Sequence, residues 1–215
     1  MMRGAAMAGA LAMTVTTALA QEGAAAGRRA GPPAAPEWEF AATGYWNAPR
    51  AGDGYASGLF AADRGALHLE ARINYEALHT QSAFVGWTFS WGEAVKLEAT
   101  PIVGGVTGDV RGPIGGLELA LSAGRFDAYL EGERVHDRSD AAASYTYVWS
   151  ELGWRPAEWL RLGAAAQRTR IWGGDRELQR GPFVQLTRAG ITVSGYWFNP
   201  GSSAQVAIVT LGVTF

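Results

Sequence analysis

From residue 37 to the end of the chain, apolar and polar side chains alternate with a period of two. The alternation runs in segments of about ten residues, the length of a tilted strand crossing a bilayer. Leu67, Leu69, Ala71, Ile73 and Tyr75 interleave with His68, Glu70, Arg72, Asn74 and Glu76. Val95, Leu97 and Ala99 oppose Lys96, Glu98 and Thr100, and Leu117, Leu119 and Leu121 oppose Glu118, Ala120 and Ser122. Phe126, Ala128 and Leu130 face away from Asp127, Tyr129, Glu131 and Glu133, and the final segment alternates Ala207, Val209, Leu211, Val213 and Phe215 with smaller or polar residues. The pattern predicts twelve strands, over 37–46, 54–62, 66–77, 80–90, 94–104, 113–122, 125–135, 143–153, 158–170, 180–188, 190–198 and 204–215. Segment 54–62 alternates weakly, and 143–153 carries aromatics on one face beside Glu151.

The connections alternate in length as well. Asp63-Arg64-Gly65, Trp91-Gly92-Glu93, Ala123-Gly124, residues 153–157 and Ala189 read as tight turns, whereas most of the intervening links are longer and richer in Gly, Asp and Arg. Both chain ends then belong to the short-turn side. The polar face carries Glu70, Arg72, Lys96, Glu98, Glu131 and Arg161, too many charges for a dry core. A mid-strand Arg or Lys turned to lipid costs about 2–4 kcal/mol, so the polar face belongs inside and the apolar face outside. Arg at Leu119 or Val209 should therefore impair assembly, and Arg at Ala120 should be tolerated. Aromatics gather near strand ends: Trp38, Trp91, Trp154, Trp159 and Phe215 on one side, Trp46, Tyr75, Trp172 and Trp197 on the other, as two interfacial girdles would place them. The expected fold is all-β, a single transmembrane antiparallel up-and-down β-barrel of about twelve strands.

Composition agrees with this fold. The chain holds 29 Gly, 9 Trp, 7 Tyr and 8 Phe with 18% charged residues, a balance that favours turns and sheets over surface helices. The absence of cysteine excludes disulfides, thiolate metal sites and a lipid-modified N-terminal cysteine. At the N-terminus, Arg3 precedes an apolar run from Ala5 to Leu19, and Ala18-Leu19-Ala20 precedes Gln21-Glu22. This order predicts a signal peptide over 1–20, cleaved after Ala20. Residues 21–36, rich in Ala, Gly and Pro, read as a flexible linker, and 37–215 as the barrel. Loss of Arg3 leaves 17 basic and 20 acidic residues, a net of −3 that offers nucleic acid no electrostatic attraction.

The last residues, Gly212-Val213-Thr214-Phe215, carry a more specific likeness. Here the chain resembles bacterial outer-membrane β-barrel proteins, whose final strand alternates apolar residues and ends on Phe. The resemblance implies an outer-membrane location in a Gram-negative-type envelope, contact with outer-membrane lipid, and recognition of Phe215 by the barrel-assembly machinery. Twelve-stranded members of that class include narrow porins, a nucleoside channel, a phospholipase and a lipid A deacylase, so strand number does not select a function.

Catalytic chemistry finds few candidates. In the outer-membrane phospholipases of that class the catalytic serine follows the histidine by two residues. Here His79 is followed at that spacing by Gln81 and His136 by Arg138, while His68 sits on the polar face of its strand. No catalytic residue is assigned, and the protein is read as not an enzyme. Asp137, Asp140, Asp175 and Glu177 match no calcium-loop spacing and read as solvated loop charges, so no metal and no cofactor are assigned. Gly104, Gly105, Gly108, Gly112, Gly115 and Gly116 lack the ending of a phosphate loop and read as a flexible outer loop.

The informative set is the interior face: Glu70, Glu76, Glu98, Glu118, Asp127, Glu131, Glu133 and Glu151 with Arg72, Lys96 and Arg161. Eight acids against three bases would attract cations into a water-filled path, or pair in part and brace a closed barrel. The first reading is a narrow passive channel for small polar or cationic solutes, its mouth shaped by loops around 105–112 and 171–179. The second is a closed structural or interaction barrel with a salt-bridged lumen, and a lipid-modifying hydrolase comes third.

Overall fold

The computed structural model describes residues 36–174 and 176–215. The expected signal peptide, most of the expected linker and Asp175 lie outside the described residues. Alternation of buried and exposed positions builds β1 (Glu39–Pro49), β2 (Tyr55–Arg64) and β3 (Leu67–Ile73). β4 runs over Thr80–Trp87 and, after a break at Thr88, Phe89–Trp91. Then come β5 (Val95–Gly108), β6 (Gly112–Ala123), β7 (Phe126–Val135), β8 (Tyr145–Ala157), β9 (Leu160–Ile171), β10 (Arg176–Arg188), β11 (Ile191–Phe198) and β12 (Val206–Thr214). The break in β4 involves no slip. Gly86 opposes Ile102 and Phe89 opposes Ala99 in one register, so Trp87 and Thr88 face Pro101 and Thr100, and Pro101 has no N–H for a ladder.

Each strand pairs antiparallel with its chain neighbours, and β12 pairs with β1, so the sheet closes into a twelve-stranded barrel without edges. The seam runs from Ala41 opposite Thr214 to Pro49 opposite Val206, and it is extended by backbone bonds of 2.9 Å in both directions between Phe40 and Phe215. At one end the strands are joined by 65–66, 92–94, 124–125, 158–159 and 189–190. Gly124 supplies the positive φ of such a tight turn. At the other end lie 50–54, 74–79, 109–111, 136–144, 172–175 and 199–205, all but one longer than any short-side turn. Both described chain ends are at the short-turn rim.

The outer surface is apolar in the middle, with Val85, Val103, Leu121, Leu152, Val184, Val193 and Val209 exposed, and eight of the nine tryptophans also face outward. The ninth, Trp149, is wholly buried inside. About eight strands make an interior that side chains just fill, and about sixteen leave an aqueous channel, so a twelve-stranded interior is closed only where side chains are large. Tyr45, Phe84, Tyr129, Tyr147, Trp149, Phe183, Tyr196 and Phe198 supply that bulk.

Three expectations require correction. β3 stops at Ile73 because Asn74 turns to a φ of 52°, so Tyr75 and Glu76 belong to the 74–79 connection. That connection folds inward, and Tyr75 leaves the outer girdle to pack on Tyr45 inside the barrel, with ring centroids 6.0 Å apart. The glycine run at 104–116 is not a flexible loop. β5 continues to Gly108 and β6 starts at Gly112, leaving only Asp109, Val110 and Arg111 between them. Gly108 is needed there, since with its φ of 118° a Cβ would lie 2.0 Å from the His79 carbonyl oxygen. The mouth segments around 105–112 and 171–179 are likewise mostly strand.

Candidate functional site: the charged interior

All eleven residues of the expected interior set project into the barrel. Glu70, Arg72, Glu76, Glu118, Glu131, Glu133, Glu151 and Arg161 are buried, and Asp127 nearly so. Lys96 and Glu98 stand closer to the short-turn rim, paired at 2.9 Å, with the lysine side chain 39% exposed.

Arg72, near the end of β3, is the hub of the outer half. Its Nε donates to Glu70 Oε1, its Nη1 to Glu133 Oε1 at 2.8 Å and to Glu76 Oε1 at 3.5 Å, and its Nη2 lies 3.3 Å from Glu131 Oε1. The guanidinium also sits 4.4 Å from the ring centroids of both Tyr75 and Phe84. Glu131 and Glu133 belong to β7, four strands around the ring, so Arg72 ties one wall to another across the lumen. The inturned 74–79 connection joins this layer: Ser82 Oγ donates to Glu76 Oε1 at 2.6 Å, and Tyr145 Oη donates to the Glu76 carbonyl at 3.0 Å. Four carboxyl groups share one guanidinium, and the faces of Tyr75 and Phe84 add further affinity for its charge.

A second cluster lies toward the short-turn end. The register between β8 and β9 shifts between Leu160 and Leu162, a bulge that accompanies the inward aim of Arg161. Arg161 donates from Nε to Asp127 Oδ1 at 2.8 Å and from Nη1 to Glu151 Oε2 at 2.6 Å, over the ring of Phe183. Arg155 Nε lies 3.2 Å from Asp127 Oδ2. Glu151 Oε1 accepts from Trp149 Nε1 at 3.1 Å and from Tyr196 Oη at 2.8 Å. This carboxylate is therefore held on both oxygens, and its removal would orphan an indole and a phenol together.

A third group was not singled out in the sequence as a site. His68 of β3 is buried with its Nδ1 2.7 Å from Asp63 Oδ1, and its Nε2 lies 3.8 Å from Glu70 Oε2. Glu118 of β6 completes the cluster. The Asp63 contact is legible in principle, because the turn at 65–66 sets Asp63 opposite His68 in the β2–β3 hairpin. The exposed His79 faces Asp109 at 3.1 Å at the opposite end of the barrel.

No family model matches the chain, and no curated protein sequence matches it. Two solved structures share its architecture at very low identity. The structure described as the KdgM porin in complex with disordered oligogalacturonate has a TM-score of 0.58 and 7% identity, covering 81% of this chain and 98% of that one. A second structure, of the KdgM porin, has a TM-score of 0.58 and 8% identity over the same shares of both chains. The chain thus has the closed antiparallel barrel fold of these porins.

Proposed function

We propose that the protein is a narrow outer-membrane channel that passes small polar solutes and prefers cations to anions. The observation that carries this reading is the acidic excess of the interior, where the eight acids of the set outnumber Arg72, Lys96, Arg161 and the rim residue Arg155 on the inner wall of a porin-like barrel. Carboxylates lining a narrow path of low dielectric surroundings concentrate cations and repel anions. The tie from Arg72 to Glu131 and Glu133 joins walls four strands apart across the lumen and is the narrowest level in this reading. An acidic oligosaccharide such as the one named with the KdgM porin would face this carboxylate excess, so the solute here is neutral or cationic.

In the same reading residues 1–20 direct export and are removed after Ala20. The short turns then face the periplasm, the exposed apolar band contacts lipid, and Phe215 is the residue recognised by the barrel-assembly machinery. The protein works as a channel rather than an enzyme.

Single-channel recording across a planar bilayer in a salt gradient tests the proposal. The expected result is discrete steps of small conductance whose reversal potential shows cation preference. Inserted barrels that carry no current would overturn it and leave a barrel closed by its own charges. Anion preference would remove the role given to the carboxylates.

A further inference from the structure

Independently of whether the barrel conducts, we propose that His68, Glu70 and Glu118 form a binding site for one divalent transition-metal ion of the Zn²⁺ class. Each of the three is more than nine-tenths buried. Each also has one atom without a hydrogen-bond partner among the described residues: His68 Nε2, Glu70 Oε2 and Glu118 Oε1. The three side chains can each offer one ligand atom, and those atoms lie within 4.8 Å of one another. Unpaired buried acceptors are costly, and three converging on one point ask for a shared cation.

The surroundings fit a metal better than a second arginine or a proton. Glu70 divides its oxygens, with Oε1 on Arg72 and Oε2 left toward the histidine. The 3.8 Å between His68 Nε2 and Glu70 Oε2 is too long for a hydrogen bond, so direct pairing of imidazole and carboxylate does not satisfy either atom. Two ligands at about 2.0–2.1 Å from a tetrahedral ion stand about 3.3 Å apart, which rotation of the two glutamate side chains can reach. The other imidazole nitrogen is already oriented by Asp63 at 2.7 Å, the carboxylate–histidine arrangement that fixes the tautomer of a metal-binding histidine. Asp63 is 44% exposed in its side chain, so the site lies just beneath the short-turn rim, within reach of ions from that side. One nitrogen and two carboxylate oxygens, with solvent as a fourth ligand, favour Zn²⁺ over Ca²⁺, which takes six to eight oxygens.

The test uses untagged, folded protein stripped with a chelator and titrated with Zn²⁺ by calorimetry, with bound metal counted by elemental analysis. Folding of every variant is checked by its heat-dependent electrophoretic mobility. One Zn²⁺ per chain with micromolar or tighter affinity is expected. Asp63→Asn, which disturbs only the orienting carboxylate, should weaken binding about 10- to 100-fold. Glu118→Gln should weaken it at least as much, and His79→Ala, at the far rim, should leave it unchanged. The proposal is overturned if folded wild-type protein takes up no Zn²⁺, if Glu118→Gln binds as tightly as wild type, or if Ca²⁺ binds as tightly as Zn²⁺. Should His68→Ala fail to fold, Glu118→Gln and Asp63→Asn still decide the matter.

Discussion

Arg72→Gln is expected to lower the stability of the folded barrel by about 3–5 kcal/mol, the usual cost of removing one partner from a buried ionic network. The guanidinium is fully buried among Glu70, Glu76, Glu131 and Glu133, so its loss leaves four carboxylates without their common counter-charge. Denaturant titration of the barrel in lipid vesicles, followed by tryptophan fluorescence, reads the effect. Adding Glu133→Gln to Arg72→Gln removes one of the orphaned charges and should restore part of the loss. An unchanged midpoint for Arg72→Gln would mean that these carboxylates are hydrated individually and that the tie contributes nothing. In bilayer recordings the same variant should raise the unit conductance and strengthen cation preference, because it removes both the cross-lumen bridge and a positive charge at the narrowest level.

Val209→Arg should cost about 2–4 kcal/mol, enough to deplete the assembled barrel in membranes. Val209 lies near the middle of β12, opposite Trp46 and Gly195, and is 54% exposed on the outer face. Ala120→Arg is the matched control. Ala120 packs against the interior and stands opposite Glu98 on the neighbouring strand, so the new guanidinium meets a carboxylate instead of hydrocarbon. The measurement is the amount of heat-modifiable, protease-resistant barrel in membrane fractions. Equal yields from the two variants would reverse or abolish the inside-out assignment of the strands.

Strand number, the direction of each face and the two kinds of connection were legible because a hairpin is local: alternation and turn residues within some twenty-five positions determine it. Even the weak segment at 54–62 forms β2, with the small Ser57 and Ala61 facing inward among the larger interior side chains. What alternation lacks is any term for contacts across the ring. It placed Arg72, Glu131 and Glu133 on the inner face, but no local pattern says that the first reaches the other two across four strands. The same limit hid the group around His68, whose third member comes from three strands away. Tyr75 failed for a different reason: a single backbone reversal at Asn74 ended the period, and the residues beyond it followed the connection inward. The glycine run was misread because glycine marks flexible loops and also marks backbones in close approach; Gly104 is of the second kind, its missing Cβ making room for the Ala83 carbonyl.

The Arg72 tie also bears on how such a barrel can enter a membrane. Residues 61 apart in sequence complete the charge layer, so no hairpin owns a finished inner surface when it is made. Strands threaded into lipid one hairpin at a time would leave Arg72 with only Glu70 and Glu76 of its own segment until β7 brought Glu131 and Glu133, its charged face meanwhile open to hydrocarbon, where an Arg costs about 2–4 kcal/mol. Insertion therefore favours a route in which at least the first seven strands curl into contact before they cross. The step that closes the ring is then cooperative, and its rate depends on contacts of long sequence separation.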